Sequence, residues 1–316
     1  MTDLNPYSAS LKSPSFEGKI HHFTSRLAAF EFSPTKTPNT LIFIGGLTDG
    51  LLTVPYVPYL ASQLPSNWSL CQTLISSSYN GWGTGSLKRD AAEIGELVKY
   101  LRVNCNKEKI VIMGHSTGTQ DVIQYITKFL QSLDNDVELY NVDGGILQAP
   151  ASDREAISMS LSSQETEEAI SEVQAFVKEN SNDDSILLPD KYAKIWFGTP
   201  ITAYRFLALT APCGDDDFFT SDLLDLPHDH PNSPAQTFGK VNRPLLILPS
   251  GDDEFVAKSI DQGERMERWQ SFMDAKFKSK YSGVLEGAKH AVGPDSKEGA
   301  QDEVAKRVVG FLSELI

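Results

Sequence analysis

The chain has 316 residues, of which 40% are hydrophobic and 22% charged, with 22 Gly and 17 Pro. These are proportions of a folded soluble protein and exclude collagenous, coiled-coil and wholly disordered architectures. Its 28 Lys and Arg against 42 Asp and Glu give a net charge of −14, and no Lys/Arg cluster overrides that field, so no nucleic acid and no membrane is expected as a partner.

Met1 to Pro14 is polar and lacks the basic start and apolar run of a secretory signal. Cys71, Cys105 and Cys213 are widely spaced and form no CxxC pair, so neither a disulfide framework nor a thiolate zinc site is expected. Nowhere do about 18 apolar residues run consecutively. A cytoplasmic address follows, while no feature fixes an oligomeric state. Arg26 to Phe32 reads as an early strand, with His21 and His22 lying before the sheet begins. Thr40 to Ile44 is a continuous apolar run ended by Gly45-Gly46, as expected of a parallel strand buried on both faces. Trp68 to Ser76 is the next strand. From Ser86, a plausible N-cap, a helix places Leu87, Ile94, Leu97, Val98 and Leu101 on one face.

Lys109 to Met113 is another buried strand, followed at once by Gly114-His115-Ser116-Thr117-Gly118 and a helix with Val122, Ile123, Ile126, Phe129, Leu130 and Leu133 in one stripe. Strands at Gly145 to Gln148, Pro244 to Leu248 and Ser282 to Leu285, then a helix near Gly299 to Leu315, complete the pattern. Such alternation argues for an α/β fold, a mostly parallel central sheet with helices on both faces. Between Pro150 and Pro244 the alternation lapses, far beyond an ordinary connection. Residues 1–150 and 241–316 are therefore expected to form the core and 151–240 an inserted cap or lid. In the insertion, Ser162 to Asn180 is helical with Ser162 and Glu165 at capping-box spacing. Trp196, Phe197, Tyr204 and Phe206 follow, then the acidic run Asp215 to Asp217, read as a solvated loop.

Gly114 to Gly118 is a G-x-S-x-G pentapeptide between a buried strand and an amphipathic helix, the setting that lifts a serine above the sheet edge on a tight turn. Ser116 is the expected nucleophile. A serine at its ordinary pKa needs a base and an orienting acid. Asp253 lies just past the strand at Pro244 to Leu248, its frame fitting better than that of Asp252. His290 falls between the short strand and the last helix, the place of the general base. The amides of Thr117 and Leu47 are the expected oxyanion donors, with Gly46 as an alternative. Gly46, Trp82, Trp196 and Tyr204 are candidate substrate-binding residues. Gly81 to Ser86 superficially resembles a dinucleotide loop, but Ser86 replaces the third glycine. His228-Asp229-His230 reads as a solvated loop rather than a metal site, so no cofactor and no metal is expected.

With these motifs in place the chain resembles the α/β-hydrolase superfamily across nearly its whole length. The segments Ile42 to Gly50, Tyr79 to Leu87, Gly114 to Asp121 and Ser250 to Val256 further resemble a fungal family long labelled as a domain of unknown function, which includes the intracellular siderophore esterase acting on fusarinine-type esters. The resemblance implies an α/β-hydrolase fold and hydrolysis of ester bonds in fusarinine C or triacetylfusarinine C, releasing iron inside the cell. The expected partner is thus a small-molecule ester, a ferric siderophore included. A lipase- or thioesterase-type carboxylesterase and a non-catalytic small-ligand binder are the alternatives, because the matching motifs are catalytic and scaffold segments while the cap decides what enters.

Overall fold

Runs of apolar residues become the interior strands of one seven-stranded sheet in the computed structural model, which describes residues 15–32, 36–133 and 137–315. The segment 1–14, read above as lacking a secretory signal, lies outside the described residues. The strands are β1 (Lys19–His22), β2 (Ala28–Phe32), β3 (Asn39–Ile44), β4 (Trp68–Leu74), β5 (Lys109–His115), β6 (Gly144–Gln148) and β7 (Leu245–Leu248). Their order is β1-β2-β4-β3-β5-β6-β7. Every pair from β4 to β7 is parallel, while β1 and β2 add an antiparallel edge.

His21 and His22 therefore belong to the sheet, contrary to the expectation that it starts after them. They carry no apolar signal because the inward side chain of β1 is polar: beyond the ladder to β2, His21 Nε2 meets Glu31 at 2.9 Å, and the buried Lys107 ammonium meets the same carboxylate at 2.6 Å. The strand expected at Ser282 to Leu285 is also corrected, since only one isolated bridge, Ser250 to Leu285, forms there. Ile247 N–H donates to the Ser282 hydroxyl at 3.0 Å, so a side chain occupies a place that a backbone carbonyl takes in a regular ladder.

The helices are α1 (Val57–Gln63), α2 (Leu87–Cys105), α3 (Gly118–Gln124), α4 (Val137–Tyr140), α5 (Asp153–Ser158), α6 (Ser163–Glu179), α7 (Asp190–Ala193), α8 (Ala203–Thr210), α9 (Gln262–Ser271) and α10 (Ala300–Glu314). Strand alternation sends Ile42, Ile110, Ile112 and Ile247 to one face, where α2, α3 and α9 cover them. Leu41, Phe43, Val111, Met113 and Leu246 go to the other, under α1 and α10. The Ser86 hydroxyl caps α2 by accepting from Arg89 N–H. Beyond α3 the expected single stripe is broken by a π turn over Tyr125–Phe129. There Thr127 donates its hydroxyl to the Ile123 carbonyl at 2.6 Å, competing with the regular ladder. Phe129 and Leu133 are consequently only half-buried.

Between β6 and β7, α5 to α8 carry a separate apolar cluster that includes Ile157, Val173, Tyr192, Trp196, Phe206 and Leu209 and takes in Trp82 from the core. The capping box at Ser162 and Glu165 starts α6. Later in the same stretch, Phe219 and Phe238 leave this cluster and pack on Trp269 of α9, at ring separations of 5.3 Å and 5.5 Å. The acidic run is not a solvated loop, because Asp216 and Asp217 are buried. Asp216 is drawn inward by Arg205 Nη1 at 2.5 Å.

Candidate active site

In an open parallel sheet, ligands bind past the strand C-termini where successive connections run to opposite sides. Here β4 lies on one side of β3 and β5 on the other, so this crevice falls between the loop after β3 and the loop after β5. Those loops are Gly45-Gly46-Leu47 and His115-Ser116-Thr117. The register places Ile44 beside Gly114 and His115 beside Gln148.

Ser116 has φ of 55°, a left-handed conformation costly for a residue with a Cβ and held only by its surroundings. Two contacts impose it. Ser116 N–H donates to the Gln148 carbonyl at 3.1 Å, and α3 passes so close to β5 that a Cβ on Gly114 would lie 2.0 Å from the Gly118 carbonyl oxygen. A Cβ on Gly46 would lie 2.6 Å from that of Ser116, so the two loops touch at Ser116.

His290 and Asp253 come together from loops 37 residues apart. Imidazole Nδ1 sits 2.8 Å and 3.0 Å from the two carboxylate oxygens, and both residues are buried. Asp252 is exposed and its carboxylate makes no bond to His290. Glu254 accepts His290 N–H at 3.0 Å, and the Phe255 ring stands edge-on 4.7 Å from the imidazole. Burial weakens His290 as a base, but the Asp253 hydrogen bond and charge outweigh it, with Glu254 and Asp49 adding to them. The net effect raises its pKa above the ordinary histidine value.

His115 lies 5.0 Å from His290, ring to ring. Burial, and then the positive potential of His290, push its pKa down. It is a neutral packing group whose Nδ1 meets Gln148 Oε1 at 2.6 Å. Gln148 in turn donates to Ser250 Oγ and the His290 carbonyl, bracing the histidine loop from beneath.

The amides of Leu47 and Thr117 have no hydrogen-bond partner among the described residues, whereas Gly46 N–H donates to Asp49 Oδ2 at 2.8 Å. Gly46 is thus occupied as a donor. Beside the two free amides lies a narrow cleft of about 20 Å³, room for about one water, walled by Gly46, Leu47, Thr117, Trp82, Asp121 and Arg205 among others. Trp196 and Tyr204 stand outside that wall. Trp196 packs behind Trp82 with ring centres 6.1 Å apart, and the Tyr204 hydroxyl donates to Asp215 at 2.7 Å.

Gln148, Glu254 and Asp49 gave no signal in the sequence, because single polar residues within strands and turns match no spacing rule. The buried carboxyls Asp90, Asp121 and Asp216 were equally hidden: they lie on α2, on α3 and in the loop after α8, and only the fold makes them neighbours. Among the described residues, no three His, Cys, Asp or Glu side chains converge as a metal-binding group, and no helix is long and apolar enough to cross a membrane.

A family model described as a protein of unknown function, DUF1749, matches residues 9–313. The fusarinine C esterase sidJ of Aspergillus fumigatus is 33% identical over 95% of this chain and 96% of its own. Esterase AN6793 of Emericella nidulans is 34% identical over 94% and 92%. Among solved structures, the siderophore hydrolase EstB from Aspergillus fumigatus superposes with a TM-score of 0.79 at 31% identity, covering 97% of this chain and 99% of that one. The fold is that of the α/β hydrolases.

Proposed function

We propose that this chain, which belongs to the DUF1749 family and is a carboxylic ester hydrolase, opens ester bonds of fusarinine-type siderophores through a Ser116–His290–Asp253 triad. The observation that carries the chemistry is the buried Asp253–His290 pair, whose imidazole lies 5.0 Å from the ring of His115, the residue next to the left-handed Ser116. Similarity over nearly the full length to a fusarinine C esterase supports the substrate.

In this reading Ser116 Oγ attacks the ester carbonyl while His290 Nε2 takes its proton. Asp253 positions the imidazole by accepting Nδ1–H and stabilises the imidazolium formed. The tetrahedral oxyanion is received by Leu47 and Thr117 N–H, which have no other partner to give up. Collapse expels the alcohol, protonated by His290, and leaves an acyl-enzyme that water attacks by the same route. Iron enters and leaves as part of the substrate. Helices α5 to α8 act as the cap, reaching the cleft through Arg205 and, behind Trp82, through Trp196. Free thiols at Cys71, Cys105 and Cys213 suit action in the reducing cytoplasm.

The test is incubation with ferric and iron-free fusarinine C and triacetylfusarinine C, with products identified by mass. Wild type should release linear fragments, and Ser116→Ala should lose on the order of 10⁶-fold in rate. Comparable turnover by the variant, or intact siderophore with wild type, overturns the proposal.

A further inference from the structure

The loop after β3 is a strained turn held largely by one side chain. Gly46-Leu47-Thr48-Asp49 closes as a β-turn, with Asp49 N–H donating to the Gly46 carbonyl at 3.1 Å. Thr48, third in the turn, has φ of 68°, costly for a β-branched residue and kept only where the surroundings impose it. Asp49 imposes it from several sides. Its Oδ2 reaches back to accept Gly46 N–H at 2.8 Å, and its Oδ1 accepts the Thr53 hydroxyl at 2.8 Å. Gly50 N–H donates to that same hydroxyl at 3.0 Å. The Asp49 carbonyl accepts Tyr79 N–H at 2.7 Å, tying the turn to the loop after β4. A Cβ on Gly45 would lie 2.6 Å from that of Asp49, so the stem of the side chain packs on the end of β3. Among the described residues no Lys or Arg meets this carboxylate, and His115 Nε2 stands 3.9 Å away. Its bonds serve the backbone of the turn rather than an ion pair.

These bonds decide which way one amide faces. A trans peptide is planar, with its C=O and N–H pointing in opposite directions. The Gly46 carbonyl turns inward to Asp49 N–H, so the Leu47 N–H on the same peptide turns outward, without a partner among the described residues. Gly46 has no Cβ, which makes the peptide after it easy to flip. A flip would withdraw the Leu47 N–H. Against it, Gly46 N–H and C=O are both bound by Asp49, a reciprocal pair like that of a capping box.

We propose that Asp49 is a positioning residue of the oxyanion site, holding the Gly46–Leu47 peptide so that the Leu47 N–H faces the reacting carbonyl. This rests on the esterase reading above, in which the Leu47 and Thr117 amides receive the oxyanion. In this role Asp49 touches neither the substrate nor the reacting atoms. Its effect falls on the transition state, because a fixed donor is worth far more to a tetrahedral oxyanion than to the ground-state ester carbonyl.

The experiment measures nitrophenyl acetate hydrolysis by the full-length protein, and its inhibition by butylboronic acid, whose tetrahedral adduct with a serine mimics the oxyanion. Asp49→Ala should lower kcat about 10²-fold, the low end for loss of one oxyanion donor, and weaken butylboronic acid by a similar factor. KM should stay within about threefold, since the lost interaction belongs to the transition state. Asp49→Asn keeps an oxygen for Gly46 N–H and an amide for Thr53, and should recover kcat to within about fivefold of wild type. Should Asp49→Ala fail to fold by circular dichroism, wild type decides. Hydrogen exchange followed by NMR should find Gly46 N–H protected and Leu47 N–H unprotected until butylboronic acid binds. Unchanged kcat in Asp49→Ala, a change in KM alone, an equal loss in Asp49→Asn, or a Leu47 amide that the boronate leaves unprotected each overturns the role of Asp49. Wild type that leaves nitrophenyl acetate intact, or Ser116→Ala that still cleaves it, strikes the esterase reading instead.

Discussion

In the proposed mechanism His290 takes a proton from Ser116 only while Nε2 is free, so its pKa should set the acid limb of the pH–rate profile. Asp253 raises that pKa and fixes the tautomer that leaves Nε2 bare. Replacing Asp253 by Asn keeps the shape but offers a donor where the imidazole N–H needs an acceptor. Asp253→Asn should lower kcat by about 10⁴-fold, and the His290 pKa read by NMR should fall, because the charge that favours the imidazolium is gone. Asp252→Asn is the control: that side chain is exposed, and its loss should leave kcat within a few-fold. Equal losses, or the larger loss at Asp252, would move the acid by one residue.

At the scale of elements, the loop after β3 and the elbow after β5 touch at Gly46 and Ser116. An alanine at Gly46 would bring its Cβ to 2.6 Å from Ser116 Cβ and 3.0 Å from Oγ. Gly46→Ala should therefore displace Ser116, the proposed nucleophile, and cost about 10²-fold in kcat/KM, the scale of a misplacement near 1 Å, with the fold retained by circular dichroism. Unchanged kinetics would place the reacting serine elsewhere. This junction was legible because glycines, a strand run and a helix stripe are local signals that fall in one order. Asp253 and His290 were legible by their places after β7 and before α10. The antiparallel β1 was not, since its one buried side chain, His21, is polar and pairs with Glu31, and it shows no periodic apolar residues. Nor was the break at Ser282, where a hydroxyl replaces a ladder carbonyl. The acidic run at Asp215 to Asp217 misled for the same reason: its partner Arg205 sits on α8, and only tertiary packing brings the charge inside.

Over the whole molecule, buried carboxyls tie the region between β6 and β7 to the sheet, and this makes stability depend on pH. Burial pushes Asp90 up to about 6 despite its Ser77 bond and the Arg205 charge, and it also raises Asp121 and Asp216. Asp153 at the start of α5 is pushed up to about 7 by desolvation, with Asp216 adding to it. In each case the folded state binds its proton more tightly than the unfolded chain. The stability these groups contribute is thus fully present below about pH 4 and is lost as pH rises through 6 and 7. His290, also raised, acts in the same direction. His115, lowered by burial, opposes it across the ordinary histidine range. Glu31 works at the acid end: despite burial, its bonds to His21, Lys107 and Ser69 hold it near 2, so its contribution is present above about 4.5 and lost only in strong acid. Unfolding free energy from urea titrations should therefore fall between pH 4.5 and 7.5. Asp90→Asn removes one titrating group and should flatten that fall by on the order of 2–3 kcal/mol, the worth of a shift from 3.8 to about 6. Parallel profiles for wild type and variant would mean that Asp90 titrates alike in the folded and unfolded chain, and that the cluster of Asp90, Asp121, Asp153 and Asp216 is open to water.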